Sequence, residues 1–168
     1  LVADLAQLPT LRDRLDLGEV LSYALVHDVV EAYAGDTVSI RLTAEERAAK
    51  KAREAAALER LRDELGPDAW LVRKIESYER QDTLEARFVH FMDKIAPKLT
   101  HALNRGRTMR DLGFGIDAAA GQHIAQLAEL AGGSPDLPEM AELFHVAHEA
   151  AIRGIAMGLA TEHVAGRW

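Results

Sequence analysis

The chain of 168 residues contains no cysteine. That excludes disulfides and thiolate metal sites, and it is the composition expected of a cytoplasmic protein. Aromatic residues make up only 5% against 48% hydrophobic residues, so the core must be built mainly from Leu, Ala, Ile and Val. Five prolines and twelve glycines are too few for a linker-rich or disordered chain. No apolar run reaches the roughly 18 residues of a membrane span. There is no basic-then-apolar leader. The net charge of -7 excludes nucleic-acid binding through a general phosphate-backbone field. No alternating apolar pattern of strand length occurs.

What is present is helical spacing almost throughout. Asp16 and Glu19 make a D-x-x-E start signal. The positions Val20, Leu21, Ala24, Leu25, Asp28 and Glu31 then predict one helix up to Gly35. Thr43 and Glu46 read as a capping box for a solvated, charge-interleaved helix to about Leu65. Gly66-Pro67 breaks it, with Pro67 suited to the first turn of the next helix. Asp82 and Glu85 mark another start. Phe88, Val89, Met92, Ile95, Leu99 and Leu103 form its apolar stripe. Pro97 is a kink point, and Asn104-Arg105-Gly106 is a stop. Two further helices are expected near 117–131 and 137–163, separated by Gly132-Gly133-Ser134-Pro135. The class is all-α, as one domain over 1–168 whose last helices occupy 106–168. Gly154 and Gly158 suit close helix packing.

The densest chemistry lies in His27-Asp28-Val29-Val30-Glu31-Ala32-Tyr33-Ala34-Gly35-Asp36. Imidazole and carboxylate groups at the end of an apolar run are costly to bury without a partner. The adjacent His27-Asp28 pair offers a neutral nitrogen and a hard oxygen to one cation. Glu31 lies four residues after His27 and so faces the same side of a helix. Such a cluster reads as a hydrolytic metal site.

With a distant Asp93, 65 residues after Asp28, this pattern resembles the HD-domain metal-dependent phosphohydrolases. It is most similar to the small 5′-deoxynucleotidases that carry HDxxExxxGD. Glu85-Ala86-Arg87-Phe88-Val89, leading to Asp93, is similar to a second block of that subgroup. The resemblance covers roughly residues 1 to 105 and implies a helical HD bundle. By position it implies His27, Asp28 and Asp93 as ligands of one divalent metal. Mixed His and Asp donors suit Co, Mn, Fe or Zn. It implies catalytic roles for Glu31 and Asp36, Glu31 holding the attacking water or protonating the leaving oxygen. Thr37 and Lys94 are expected to bind substrate, Lys94 as the best of three phosphate-clamp candidates with Arg41 and Lys98.

The family's first metal His lies on the preceding helix, yet no His occurs before His27. Leu1–Leu8 reads as the tail of a helix whose start, with that His and a phosphate-holding Arg, precedes this chain. The implied reaction is hydrolysis of a (deoxy)nucleoside 5′-monophosphate to nucleoside and phosphate. The substrate is thus a small nucleotide, with no nucleic acid and no membrane partner. Similar family members are often homodimers. Alarmone hydrolases carry HDxxED, and here Ala32 follows Glu31, which argues against them. Hydrolysis of dNTPs to triphosphate, phosphodiester hydrolysis, and a non-catalytic helical module remain as alternatives. His90, one turn before Asp93, reads as packing or solvent-facing, and His145, His148 and Glu149 read as ordinary helix surface, since the order His-x-x-His-Glu is not that of a zinc motif.

Overall fold

A computed structural model describes residues 1–36 and 42–165. Among the described residues every regular element is a helix, as the spacing predicts. They are α1 (Val2–Ala6), α2 (Leu17–Val26), α3 (Glu31–Ala34), α4 (Ala44–Leu65), α5 (Trp70–Arg80), α6 (Leu84–Leu103), α7 (Arg107–Asp111), α8 (Ile116–Gly133) and α9 (Pro138–Ala165). None among the described residues is long and apolar enough to cross a membrane. The chain divides into two compact units, Leu1–Val89 and His90–Trp168, with the division inside α6.

In the first unit, Asp16 caps α2, its carboxylate accepting from Glu19 N at 3.0 Å. Such a cap contributes about 1 kcal/mol. The expected single helix to Gly35 is interrupted. α2 ends at Val26, and residues 27–30 form a turn closed by Val29 N to Val26 O at 3.1 Å and Glu31 N to Asp28 O at 3.0 Å. The cause is local: Asp28, Val29 and Val30 are three consecutive weak helix formers, so the backbone tightens to i→i+3 bonds. The one-turn α3 follows, and Gly35 at φ 77° ends it.

The expected capping box at Thr43 and Glu46 is formed, and α4 is solvated with only Ala57 and Leu61 buried. Pro67 is not in the next helix. It occupies the second position of a turn closed by Ala69 N to Gly66 O at 3.1 Å, the position that its fixed φ favours. α5 buries Val72, Ile75 and Tyr78. Val72 and Ile75 join Val26, Val30, Ala57 and Leu61 in one core cluster. Each such fully buried Val, Ile or Leu contributes about 1.5–3 kcal/mol. Arg62 crosses from α4 to Glu76 on α5. The helix α6 is capped by Thr83 rather than Asp82: Thr83 Oγ1 accepts from Ala86 N at 3.1 Å, because Asp82 is engaged by Arg80 at 2.7 Å. The chain stays helical through Pro97.

The second unit packs α8 and α7 against α9. Leu130, Leu137, Met140, Phe144, Ala147, Ala151 and Ile155 are buried there. Gly154 lies where a Cβ would be 2.9 Å from the Ala102 carbonyl oxygen, so it permits close packing within the fold, as expected. The short α7 is an addition to the sequence reading. It begins after Gly106, which has φ 68° and rests against Ile155.

Candidate metal centre

His27 is the C-terminal cap of α2, its backbone N–H bonded to Tyr23 O at 3.0 Å. Its ring Nδ1 lies 2.9 Å from Ala24 O. A carbonyl can only accept, so Nδ1 carries the hydrogen and a neutral ring leaves Nε2 bare. That bare nitrogen is 3.0 Å from Asp28 Oδ2. Two lone-pair atoms at that separation repel unless a proton or a metal ion joins them. The ring edge meets Tyr78, with centroids 6.2 Å apart and planes at 76°, which fixes its direction.

Asp93 lies on α6. His27 and Asp28 belong to the first unit and Asp93 to the second. His27 and Asp93 are half-buried and Asp28 is exposed. One imidazole and two carboxylates form a donor set that fits a first-row divalent ion. Lys94 Nζ pairs with Asp93 Oδ2 at 2.6 Å.

Glu31 opens α3 and is half-buried. Burial, then the charges of Asp28 and Asp36, hold its carboxyl above the usual range, while Lys50 works the other way. Lys50 Nζ is 3.6 Å from Glu31 Oε1 and 3.5 Å from Glu54 Oε1. A carboxyl so raised keeps a proton to higher pH than an ordinary glutamate, which suits it to proton transfer. The four residues of α3 cannot hold a helix alone. They are fastened to α4: Tyr33 Oη donates to Glu64 at 2.9 Å, and the Arg60 guanidinium lies 4.1 Å above the Tyr33 ring. Asp36, just after Gly35, is exposed. Thr37 and Arg41 lie outside the described residues.

Two readings need correction. Lys98 is not placed as a phosphate clamp. It is 8% exposed, 4.4 Å above the Phe144 ring, and donates to Gln126 at 3.1 Å, because its alkyl stem fills an apolar site. His148 is not surface either: it is 9% exposed and stacked on His123. His145 and Glu149 are exposed, as expected. Sequence reasoning missed Lys50, hidden among the interleaved charges of α4. It also missed His123, which no local motif marks.

A family model described as HD domain matches residues 5–132. No curated protein and no solved structure matches the chain.

Proposed function

The chain belongs to the HD domain family, and on that premise we propose that it hydrolyses (deoxy)nucleoside 5′-monophosphates to nucleoside and phosphate. The family assignment supports metal-dependent phosphohydrolase activity in general. The narrower substrate rests on the HDxxExxxGD spacing. The family match runs across the division at Val89, which supports reading both units as one HD domain.

The observation that carries the metal-centred reading is the approach of His27 Nε2 to Asp28 Oδ2; Asp93 is taken as the third donor from the family spacing. In this reading His27, Asp28 and Asp93 hold one divalent ion, Co, Mn, Fe or Zn. When bound, it lowers the pKa of water and neutralises phosphoryl oxygens. The Ala24 carbonyl keeps the His27 Nε2 lone pair available, as outer partners of metal-binding histidines do. Glu31 holds a proton at its carboxyl and exchanges it with water or the leaving oxygen. Lys50 keeps that carboxyl in place. Asp36 and Thr37 contact the sugar, and Lys94, once Asp93 turns to the ion, contacts phosphate. The enzyme works in the cytoplasm as a homodimer.

The test is phosphate release from a panel of deoxy- and ribonucleoside mono- and triphosphates, with Co, Mn or EDTA. Metal-dependent release from monophosphates is expected. Asp28→Ala loses both metal and activity, whereas Glu31→Ala keeps the metal and loses turnover. Release of tripolyphosphate instead would move the reading to dNTP hydrolysis. Metal-independent release, or none from any substrate, would sink it.

A further inference from the structure

The second unit carries a group of bases that the proposed reaction does not use. His123 on α8 is 6% exposed. Its ring stacks on His148 at 3.8 Å and 11°, and on Phe144 at 5.0 Å and 10°, both from α9. Its Nε2 lies 3.3 Å from His145 Nδ1. Its other nitrogen, Nδ1, is buried with no hydrogen-bond partner.

These contacts decide where the protons sit. A buried N–H without an acceptor costs more than a bare nitrogen. So His123 carries its hydrogen on Nε2 and donates it to His145 Nδ1. His145 then carries its own on Nε2, facing Glu149 Oε1 at 3.4 Å. The neutral rings thus form a consistent chain from His123 through His145 to Glu149.

One added proton spoils it. On either His123 or His145, it forces a hydrogen onto the partnerless Nδ1 of His123 or sets two N–H groups head to head. On His148, it places a charge on a ring that is 9% exposed and so poorly solvated. The surroundings offer little relief. From α6 comes Lys98, whose charge acts against any new cation here and, after burial, lowers His101 as well. From α8 comes neutral Gln126, which accepts from Lys98, while the charge of Glu129 acts on His90. From α9 comes Glu149, half-exposed and shared with Arg153 at 3.5 Å.

We infer that the His123–His148 stack, with His145, is an acid-sensitive latch that fastens α8 to α9 near neutral pH and releases them on acidification. Burial, foremost, and the neighbouring bases push His148 down to about 4 and lower His123. The sign follows: the unfolded segment takes up protons near the ordinary 6.5, the folded one only near 4. Stability is therefore lost as pH falls through that interval. For His148 alone the ratio of opening constants is about 30-fold between pH 7.5 and pH 5.

The test is amide hydrogen exchange on the full chain, corrected for intrinsic rates, at those two pH values. Protection of α8 and α9 is expected to fall about 30-fold or more, while that of α5 changes much less. His123→Phe and His148→Phe keep a stacking ring that cannot be charged, and each should reduce the loss. Equal protection at both pH values, equal loss in the variants, or equal loss across α5 would overturn the latch. Should either variant fail to fold, ring titration of the wild-type histidines by NMR decides. His148 must stay neutral below pH 5.5 and His123 must titrate below an ordinary imidazole; titration of both near 6.5 would refute the inference.

Discussion

Substituting alanine at the two glycines that flank α7 separates backbone strain from packing in one experiment. Gly106 and Gly113 have nearly the same left-handed φ, 68° and 73°. Their surroundings differ. A Cβ on Gly106 would lie 2.4 Å from Ile155 Cγ1 and 2.7 Å from its Cα, whereas a Cβ on Gly113 would meet nothing within 4 Å. The left-handed conformation costs an alanine about 1–2 kcal/mol at either site. Overpacking adds about 1–3 kcal/mol at Gly106 alone, because the nearest atoms include backbone and cannot swing aside. Gly106→Ala should therefore cost about 2–5 kcal/mol and Gly113→Ala about 1–2 kcal/mol. Urea unfolding followed by far-UV circular dichroism measures both. At about 2–4 °C per kcal/mol for a chain of this size, the Gly106 variant melts roughly 4–20 °C lower. Adding Ile155→Ala should recover part of the Gly106 loss, since it removes the clashing Cγ1. Equal costs at the two glycines, or no coupling to Ile155, would refute the close approach of α7 to α9.

Other outcomes follow from single groups. Burial holds Lys98 down to about 8, against 10.5 for a free lysine. The unfolded chain therefore binds more protons between those values, and this residue makes stability rise with pH there. Lys98→Met removes that contribution, so the variant's stability relative to wild type should be higher at pH 7.5 than at pH 10; a constant difference in urea melts would be the contrary result. At free metal of 100 times its dissociation constant, the wild type should gain about 2.7 kcal/mol. Asp28→Asn should lose most of that gain in a thermal-shift titration with Mn or Co. Thr43→Ala should cost about 1 kcal/mol in urea by opening the capping box, with no change in metal affinity by calorimetry.

Sequence reading succeeded where the information is local. The caps at Asp16 and Thr43, the stop at Gly66 and the buried run Phe88, Val89, Met92 and Ile95 of α6 each depend on residues within one or two turns. It failed where two signals competed within a few residues. Thr83 and Asp82 are both good caps, and the engagement of Asp82 by Arg80 leaves the cap to Thr83. The break after Val26 went unseen because apolar spacing continues through Val29 and Val30, while backbone preference does not. Of the candidate site, His27, Asp28 and Glu31 were legible as a cluster, and Asp93 through resemblance alone. Lys50 and the His123–His148 stack were not, since they depend on which faces of distant helices meet, and that is a tertiary fact.

The fastening of α3 has a further consequence. The helix bearing Glu31 is pinned by Tyr33–Glu64, Arg60 over the ring, and Lys50–Glu31. Several of these contacts are ionic and solvent-reachable. The core of Val26, Val30, Val72 and Ile75 is not. Dissolved ions weaken the former within a Debye length of about 10 Å at 0.1 M, and much more at 1 M. Apolar burial does not weaken with added salt in that way. On the proposed function, catalysis and folding should therefore respond differently to ionic strength, with turnover falling in concentrated sodium chloride while the melting temperature holds. For this protein the salt concentration of an assay buffer becomes a control on where one carboxylate points.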